Sequence, residues 1–102
     1  MEKELEKMKE KLTWLLATEF VTLEGLAKIH HQRKDDLKNA PLQETVAASN
    51  AVDASMNSMA LEESYLIGII CLARVLDLIT PQEANIFLDK INAFWRKSDD
   101  HE

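Results

Sequence analysis

The sequence predicts an all-α protein, a small bundle of three or four helices with a long N-terminal helix that associates as a dimer. The chain has 102 residues, with only two glycines and two prolines, and so few turn-forming residues favour a few long elements over many short strands. Apolar residues also recur at intervals of three and four, the spacing of one helix face. We expect a single domain over residues 1–102, because two separate cores would each be too small to fold well.

The first helix is predicted over residues 2–38. Apolar residues recur along it at helical intervals in two series, and the apolar stripe shifts around the helix near residue 16. The first series is Leu5, Met8, Leu12 and Leu15, and the second is Leu16, Phe20, Leu23, Ala27 and His30. Pro41 requires the helix to end shortly before it, because a proline disfavours helical geometry in the residue ahead of it. The same proline suits the first position of the next helix.

Two helices are predicted in the middle of the chain, over residues 41–57 and 59–79, with one continuous helix as the alternative. The first of them has small residues on one side at heptad-like spacing, which lets a neighbouring backbone approach closely. The second is apolar on every side and must therefore be covered on every side. A second copy of the chain would provide that cover, so the sequence predicts a homodimer. The small residues are Ala47, Ala51, Ala54 and Ser58.

The last helix is predicted over residues 81–97, with residues 98–102 as a frayed tail. Thr80 precedes Pro81, and Glu83 lies three residues after Thr80. This spacing is typical of a capping box, in which the threonine and glutamate side chains satisfy backbone N–H groups at the start of a helix.

The junction before this last helix resembles the turn of a DNA-binding helix-turn-helix only in outline. A recognition helix presents basic and polar side chains to the major groove. Here the helix carries Glu83 and Asp89 together with the polar residues Gln82 and Asn85, and Lys90 is its only cation before Arg96. We therefore interpret the junction as a structural corner.

The bulk composition argues against nucleic acid and membrane as partners. The net charge is −6, which would repel a polyanion. The longest apolar stretch is interrupted by Arg74 and Asp77, whereas a membrane-spanning helix needs roughly 20 apolar residues. We expect a small acidic protein that is soluble and cytoplasmic. Cys71 lies in that apolar stretch and is expected to be a buried thiol.

The sequence contains little that would support catalysis or cofactor binding. It has no glycine-rich phosphate loop and no nucleophile in a suitable context, so we expect no enzyme activity and no cofactor. His31 and Asp35 lie four residues apart, a spacing that can place both side chains on one metal ion. Two ligands make a weak site. A bundle that binds a metal or small ligand through His30, His31 and Asp35 is therefore the alternative function.

The leading expectation is a non-catalytic protein-interaction module. Such a regulator, inhibitor or chaperone would act by binding itself and another, unidentified protein. Apolar residues of the middle helices, two adaptable methionines and the two tryptophans are the expected interface. These residues are Tyr65, Ile69, Ile70, Leu72, Leu76, Met56, Met59, Trp14 and Trp95.

Overall fold

The computed structural model describes the backbone of residues 2–99 and the side chains of residues 2–95. Within that part of the chain all regular structure is helical. Helix α1 runs over Glu2–Asn39, a short 3-10 helix over Leu42–Glu44, α2 over Thr45–Val75 and α3 over Pro81–Asp99. The molecule measures 62 × 20 × 16 Å. This confirms the all-α bundle with a long first helix.

The three helices pack against one another around a single core. Helices α1 and α2 form a long antiparallel hairpin, and α3 returns along both of them. The radius of gyration is 17.1 Å, larger than the about 13 Å expected for a compact chain of this length. The elongated shape follows from α1, whose 38 residues span about 57 Å. The buried side chains that join the three helices in one cluster are Leu16, Phe20, Leu23, Leu66, Ile70, Ala84 and Ile91, and Met59 and Ala73 of α2 are buried as well.

Aromatic contacts attach α3 to α1. The rings of Phe20 and Phe87 stack with their centroids 5.9 Å apart. The ammonium group of Lys90 lies 4.6 Å from the centroid of the Phe20 ring. Such ring pairs and cation–π contacts each add a modest stabilisation to the apolar burial. Together they place α3 beside the middle of α1.

The middle of the chain is one continuous helix, which was the alternative considered for it. No break occurs near Asn57 and Ser58, and α2 begins at Thr45 after Pro41 has preceded the short 3-10 helix. The prediction that Pro41 occupies the first position of this α-helix was therefore wrong, because the 3-10 helix lies between Pro41 and α2. The reason lies in the backbone: Glu44 N–H donates to the Pro41 carbonyl, which tightens the entry into a 3-10 turn.

Helix α2 ends at Val75, not at the predicted Ile79. Asp77 has a φ of 57°, in the left-handed region. The N–H of Leu78 donates to the Ala73 carbonyl at 2.8 Å, and the N–H of Asp77 donates to the Arg74 carbonyl at 3.0 Å. These two bonds form a Schellman motif, which terminates a helix and satisfies its last carbonyl groups.

The capping box at the start of α3 is confirmed. The N–H of Thr80 donates to Glu83 Oε1 at 2.9 Å, and the N–H of Glu83 donates to Thr80 Oγ1 at 3.1 Å. Residues 98 and 99, expected in the frayed tail, continue α3. The rest of that predicted tail, residues 100–102, lies outside the described residues.

Candidate interaction surface

The outward side of α2 carries a stripe of exposed apolar side chains. Leu61 is 74% exposed, Tyr65 52%, Leu72 58% and Val75 77%. Gly68 lies among them and is exposed as well. We call these five residues the α2 stripe.

The α2 stripe follows the spacing of a coiled-coil seam. From Leu61 to Val75 its members are separated alternately by four and three residues, the heptad pattern that holds one side of a helix toward a partner. Ala54 and Ser58 extend the same register toward the N-terminus, and both are exposed. Including them, the seam is about 32 Å long. A second helix of similar length therefore fits along it.

The exposed residues of α2 from Ala54 to Leu72 carry no charge, whereas Arg74, beside Val75 at the end of the stripe, is exposed and charged. Among the described residues from Ala54 to Leu72, none of the exposed ones is an Asp, Glu, Lys or Arg. In the whole chain 29% of residues are charged, so a solvated helix face would normally include several of them. The two charged residues within this span, Glu62 and Glu63, are partly buried against the other helices.

Glu63 and Trp95 join α2 to α3. The indole Nε1–H of Trp95 donates a hydrogen bond to the Glu63 carboxylate. Trp95 is half-buried, and this bond fixes its ring against the bundle. Trp95, expected at an interface, therefore contributes to packing within the chain.

Glu62 meets Glu19 of α1 across the hairpin. Burial, a hydrogen bond to the Glu19 side chain and the charge of Glu19 raise the pKa of Glu62 to about 7. Oε1 of Glu62 is buried without a hydrogen-bond partner. Ionising Glu62 would put a second negative charge beside Glu19, so this pair holds a proton at and below neutral pH.

The structure divides the predicted interface residues into exposed and buried sets. Met59 is 0% exposed and Ile70 is 1% exposed, so both are core residues. Their assignment to an interface requires correction, because side chains buried inside the bundle cannot meet a partner while the fold persists. Ile69 is partly buried. Tyr65, Leu72, Leu76 and Met56 are exposed, between 44% and 58%.

Trp14 lies on a different helix from the stripe. It is 69% exposed on the outer side of α1, with Val21, 68% exposed, two turns further along. This is a second, smaller apolar area.

Cys71 is exposed beside the α2 stripe. The expectation of a buried thiol was wrong, because the part of α2 that surrounds it is apolar without being buried. Its neighbours at three- and four-residue spacing on the helix are Ile67, Gly68, Arg74 and Val75, and none of them is a carboxylate or imidazole that could act as a general base.

The histidine cluster separates into two unlike environments. His30 is 3% exposed, and its Nδ1 lies 2.7 Å from Oγ of Ser55 in α2. His31 Nε2 lies 3.6 Å from Oδ2 of Asp35, on a more exposed side of α1. No group of three or more His, Cys, Asp or Glu side chains with metal-binding geometry occurs among the described residues. Of the three predicted ligands, only His31 and Asp35 therefore lie next to each other, and His30 is buried in the core.

Two clefts lie near the loop that joins α1 and α2. The narrower one, of about 310 Å³, is flanked by His30, Val52, Met56 and Trp95, with Lys34 and Lys38 also among its lining residues. The other, of about 530 Å³, is a shallow surface groove beside Pro41 and Asn39. Neither brings together an acid, a base and a nucleophile.

Comparison with known proteins assigns no relationship, since no family model, curated protein or solved structure matches the chain. None of the described helices is long and apolar enough to cross a membrane.

Three members of the stripe were not among the interface residues predicted from the sequence: Leu61, Gly68 and Val75. Their spacing continues the heptad register of Ala47, Ala51, Ala54 and Ser58, so the signal was present in the sequence. It was hidden because residues 65–79 are apolar on all sides, and composition alone does not tell which side faces the core.

Proposed function

We propose that the protein is a non-catalytic interaction module that binds other protein chains through the α2 stripe. In this role it acts as a small acidic regulator, inhibitor or chaperone by occupying a surface of its partner. The observation that carries the proposal is the heptad-spaced apolar face of α2, exposed from Ala54 to Val75 and uncharged from Ala54 to Leu72. Contiguous exposed apolar patches of this kind mark interaction sites on soluble domains.

The form of the stripe supports a helical ligand. A helix presents side chains at intervals of three and four, and these pack between the residues of a matching heptad stripe. The open position at Gly68 supports close approach, because a Cβ built there meets no atom within 4 Å. The ligand that fits is thus an amphipathic helix with an uncharged apolar side.

Affinity capture from the native source tests this proposal. Tagged wild-type protein is compared with a double variant, Leu61→Glu with Leu72→Glu. Both sites are more than half exposed, so the variant should fold, while two carboxylates in the seam would prevent apolar contact. We expect the wild type to recover a partner in near-stoichiometric amount and the double variant to lose at least nine-tenths of it, a tenfold effect that corresponds to about 1.4 kcal/mol.

The matched control is a second double variant, Val21→Glu with Ile86→Glu. These side chains are 68% and 66% exposed on α1 and α3, so the control adds the same charge away from the stripe. It should recover the partner as the wild type does. Equal recovery by both double variants would overturn the assignment of the surface, and wild type that recovers no other protein would overturn the binding role.

A further inference from the structure

We infer that a second copy of the chain occupies the α2 stripe, with its own α2 paired antiparallel about a two-fold axis at Gly68. The inference rests on the proposed function in one respect, since both use the α2 stripe as the binding surface. It goes further by naming the occupant, the direction of the paired helices and the register.

The exposed residues of α2 from Leu61 to Val75, apart from Arg74, form a set that is symmetric about Gly68. In an antiparallel pair centred on this residue, Leu61 of one copy lies opposite Val75 of the other, because each is seven residues from the centre. By the same symmetry Tyr65 lies opposite Cys71, and Leu72 lies opposite Ser64. Each large side chain then meets a small or medium one, which is the arrangement that lets two helix surfaces interdigitate.

The centre of the stripe permits the closest approach of the two backbones. Gly68 is exposed, and the space beside its Cα is open out to 4 Å. A two-fold axis at this point brings like residues together, as every isologous interface requires. A glycine is the residue that allows the helix axes to come near each other there.

Charge favours a second copy over a charged surface as the occupant. The exposed residues of α2 from Ala54 to Leu72 offer nothing to attract an ion, a polyanion or a charged helix. A partner that matches them must present an uncharged apolar helix of similar length, and α2 is itself such a helix. Each copy carries a net charge of −6, but the one exposed charged residue of the paired segment from Leu61 to Val75 is Arg74. The antiparallel register places the Arg74 residues of the two copies at opposite ends of the seam, about 18 Å apart.

The short paired segment indicates a dimer that dissociates on dilution. It runs from Leu61 to Val75, about 21 Å of helix, and has fewer residues than the roughly 20–30 that each partner contributes to a standard interface. We therefore expect association in the micromolar range. Added salt should strengthen it, because salt screens the repulsion between two acidic copies. A partner helix would compete with the second copy for the same stripe.

Disulfide trapping tests the occupant, the direction and the register at once. The natural thiol is first removed by Cys71→Ser, and Gly68→Cys, Leu61→Cys or Val75→Cys is then introduced singly. Diamide oxidises two thiols to a disulfide where their Cα atoms come within about 7 Å. We expect Gly68→Cys to form a covalent dimer at least tenfold faster than Ile86→Cys, the exposed control on α3.

The remaining variants distinguish antiparallel from parallel pairing. Leu61→Cys alone should stay monomeric, because the two introduced thiols would lie about 21 Å apart along the antiparallel pair. A mixture of Leu61→Cys and Val75→Cys should form the mixed disulfide. Trapping of Leu61→Cys with itself would overturn the antiparallel register.

Failure of the inference is distinguishable from failure of the proposed function. If neither Gly68→Cys nor the mixture of Leu61→Cys and Val75→Cys, which leaves Gly68 intact, forms a disulfide faster than Ile86→Cys, a second copy is not the occupant. The capture experiment can still succeed in that case, and the stripe would then serve another protein alone.

Discussion

The Nδ1 atom of His30 and the hydroxyl oxygen of Ser55 lie 2.7 Å apart, and this contact joins α1 to α2 inside the bundle. The Ser55 hydroxyl donates its single proton to the Val52 carbonyl at 2.9 Å. Its oxygen is therefore the acceptor toward His30, and His30 carries a proton on Nδ1. This bond satisfies a polar ring in the core and holds the register of the hairpin.

Ser55→Ala should lower the free energy of unfolding by about 1–3 kcal/mol, because the buried Nδ1–H of His30 loses its acceptor. Urea denaturation measures the change. Ser58→Ala is the matched control, since Ser58 lies one turn further along α2, is exposed and bonds only to the Ala54 carbonyl. Equal stability of the two variants would show that the His30–Ser55 contact is not stabilising.

Glu62→Gln should change the pH dependence of stability. The pKa of Glu62 is raised in the folded protein from 4.5 to about 7, so the folded state binds a proton that the unfolded state releases between these values. Across that window the wild type loses stability as pH rises. The amide of the Glu62→Gln variant keeps the hydrogen bond to Glu19 and does not ionise, so its stability does not fall as the pH rises. At pH 8 we therefore expect the variant to be more stable than wild type by about 1 kcal/mol, allowing for solvent screening.

The measurement for this pair is the urea midpoint at pH 5 and at pH 8. Glu10→Gln, on the exposed N-terminal part of α1, is the control and should shift neither midpoint appreciably. A Glu62→Gln midpoint that follows the wild type at both pH values would contradict the role assigned to the Glu19–Glu62 pair.

Ile70→Ala should lower the free energy of unfolding by about 2–5 kcal/mol, whereas Leu72→Ala should change that of the monomer by less than about 0.5 kcal/mol. Ile70 is 1% exposed in the core, and Leu72 is 58% exposed on the stripe. Thermal denaturation in dilute solution, below the dimer range, compares them. A large effect at Leu72 under those conditions would mean that the outward side of α2 has been assigned wrongly.

Asp77→Gly should raise the free energy of unfolding by about 0.5–1 kcal/mol. Asp77 has a φ of 57°, and a left-handed conformation is unfavourable for residues with a Cβ but not for glycine. Asp77→Val should lower stability, because a β-branched side chain fits this conformation poorly. Chemical denaturation of both variants checks the sign. Stabilisation by valine would contradict the Schellman geometry at the end of α2.

Much of the fold was predictable because several signals are local. Pro41 placed the end of α1 within one residue, and Thr80 with Glu83 placed the start of α3. The end of α2 was not predictable in the same way. Leu78 and Ile79 continue the apolar pattern, while the left-handed residue that stops the helix is an aspartate instead of the usual glycine.

The candidate surface was only partly predictable, because burial depends on how helices cross. Residues 65–79 are apolar all round, so the sequence indicated an excess of apolar surface without its direction. The positions of α1 and α3 decide that Ile70 faces inward and Leu72 outward. The continuity of α2 also had no local marker, since its first half is rich in Ala, Ser and Asn and poor in large apolar residues.

Sedimentation velocity tests the central claim, that the α2 stripe is a binding surface for a second copy, most directly. Wild type, Leu72→Glu and the control Ile86→Glu are compared from low to high micromolar concentration. We predict that wild type and Ile86→Glu shift from 11.6 kDa toward twice that mass, while Leu72→Glu remains at 11.6 kDa throughout. A wild type that stays at 11.6 kDa across the whole range, or a Leu72→Glu variant that dimerises as well as the control, would contradict the claim.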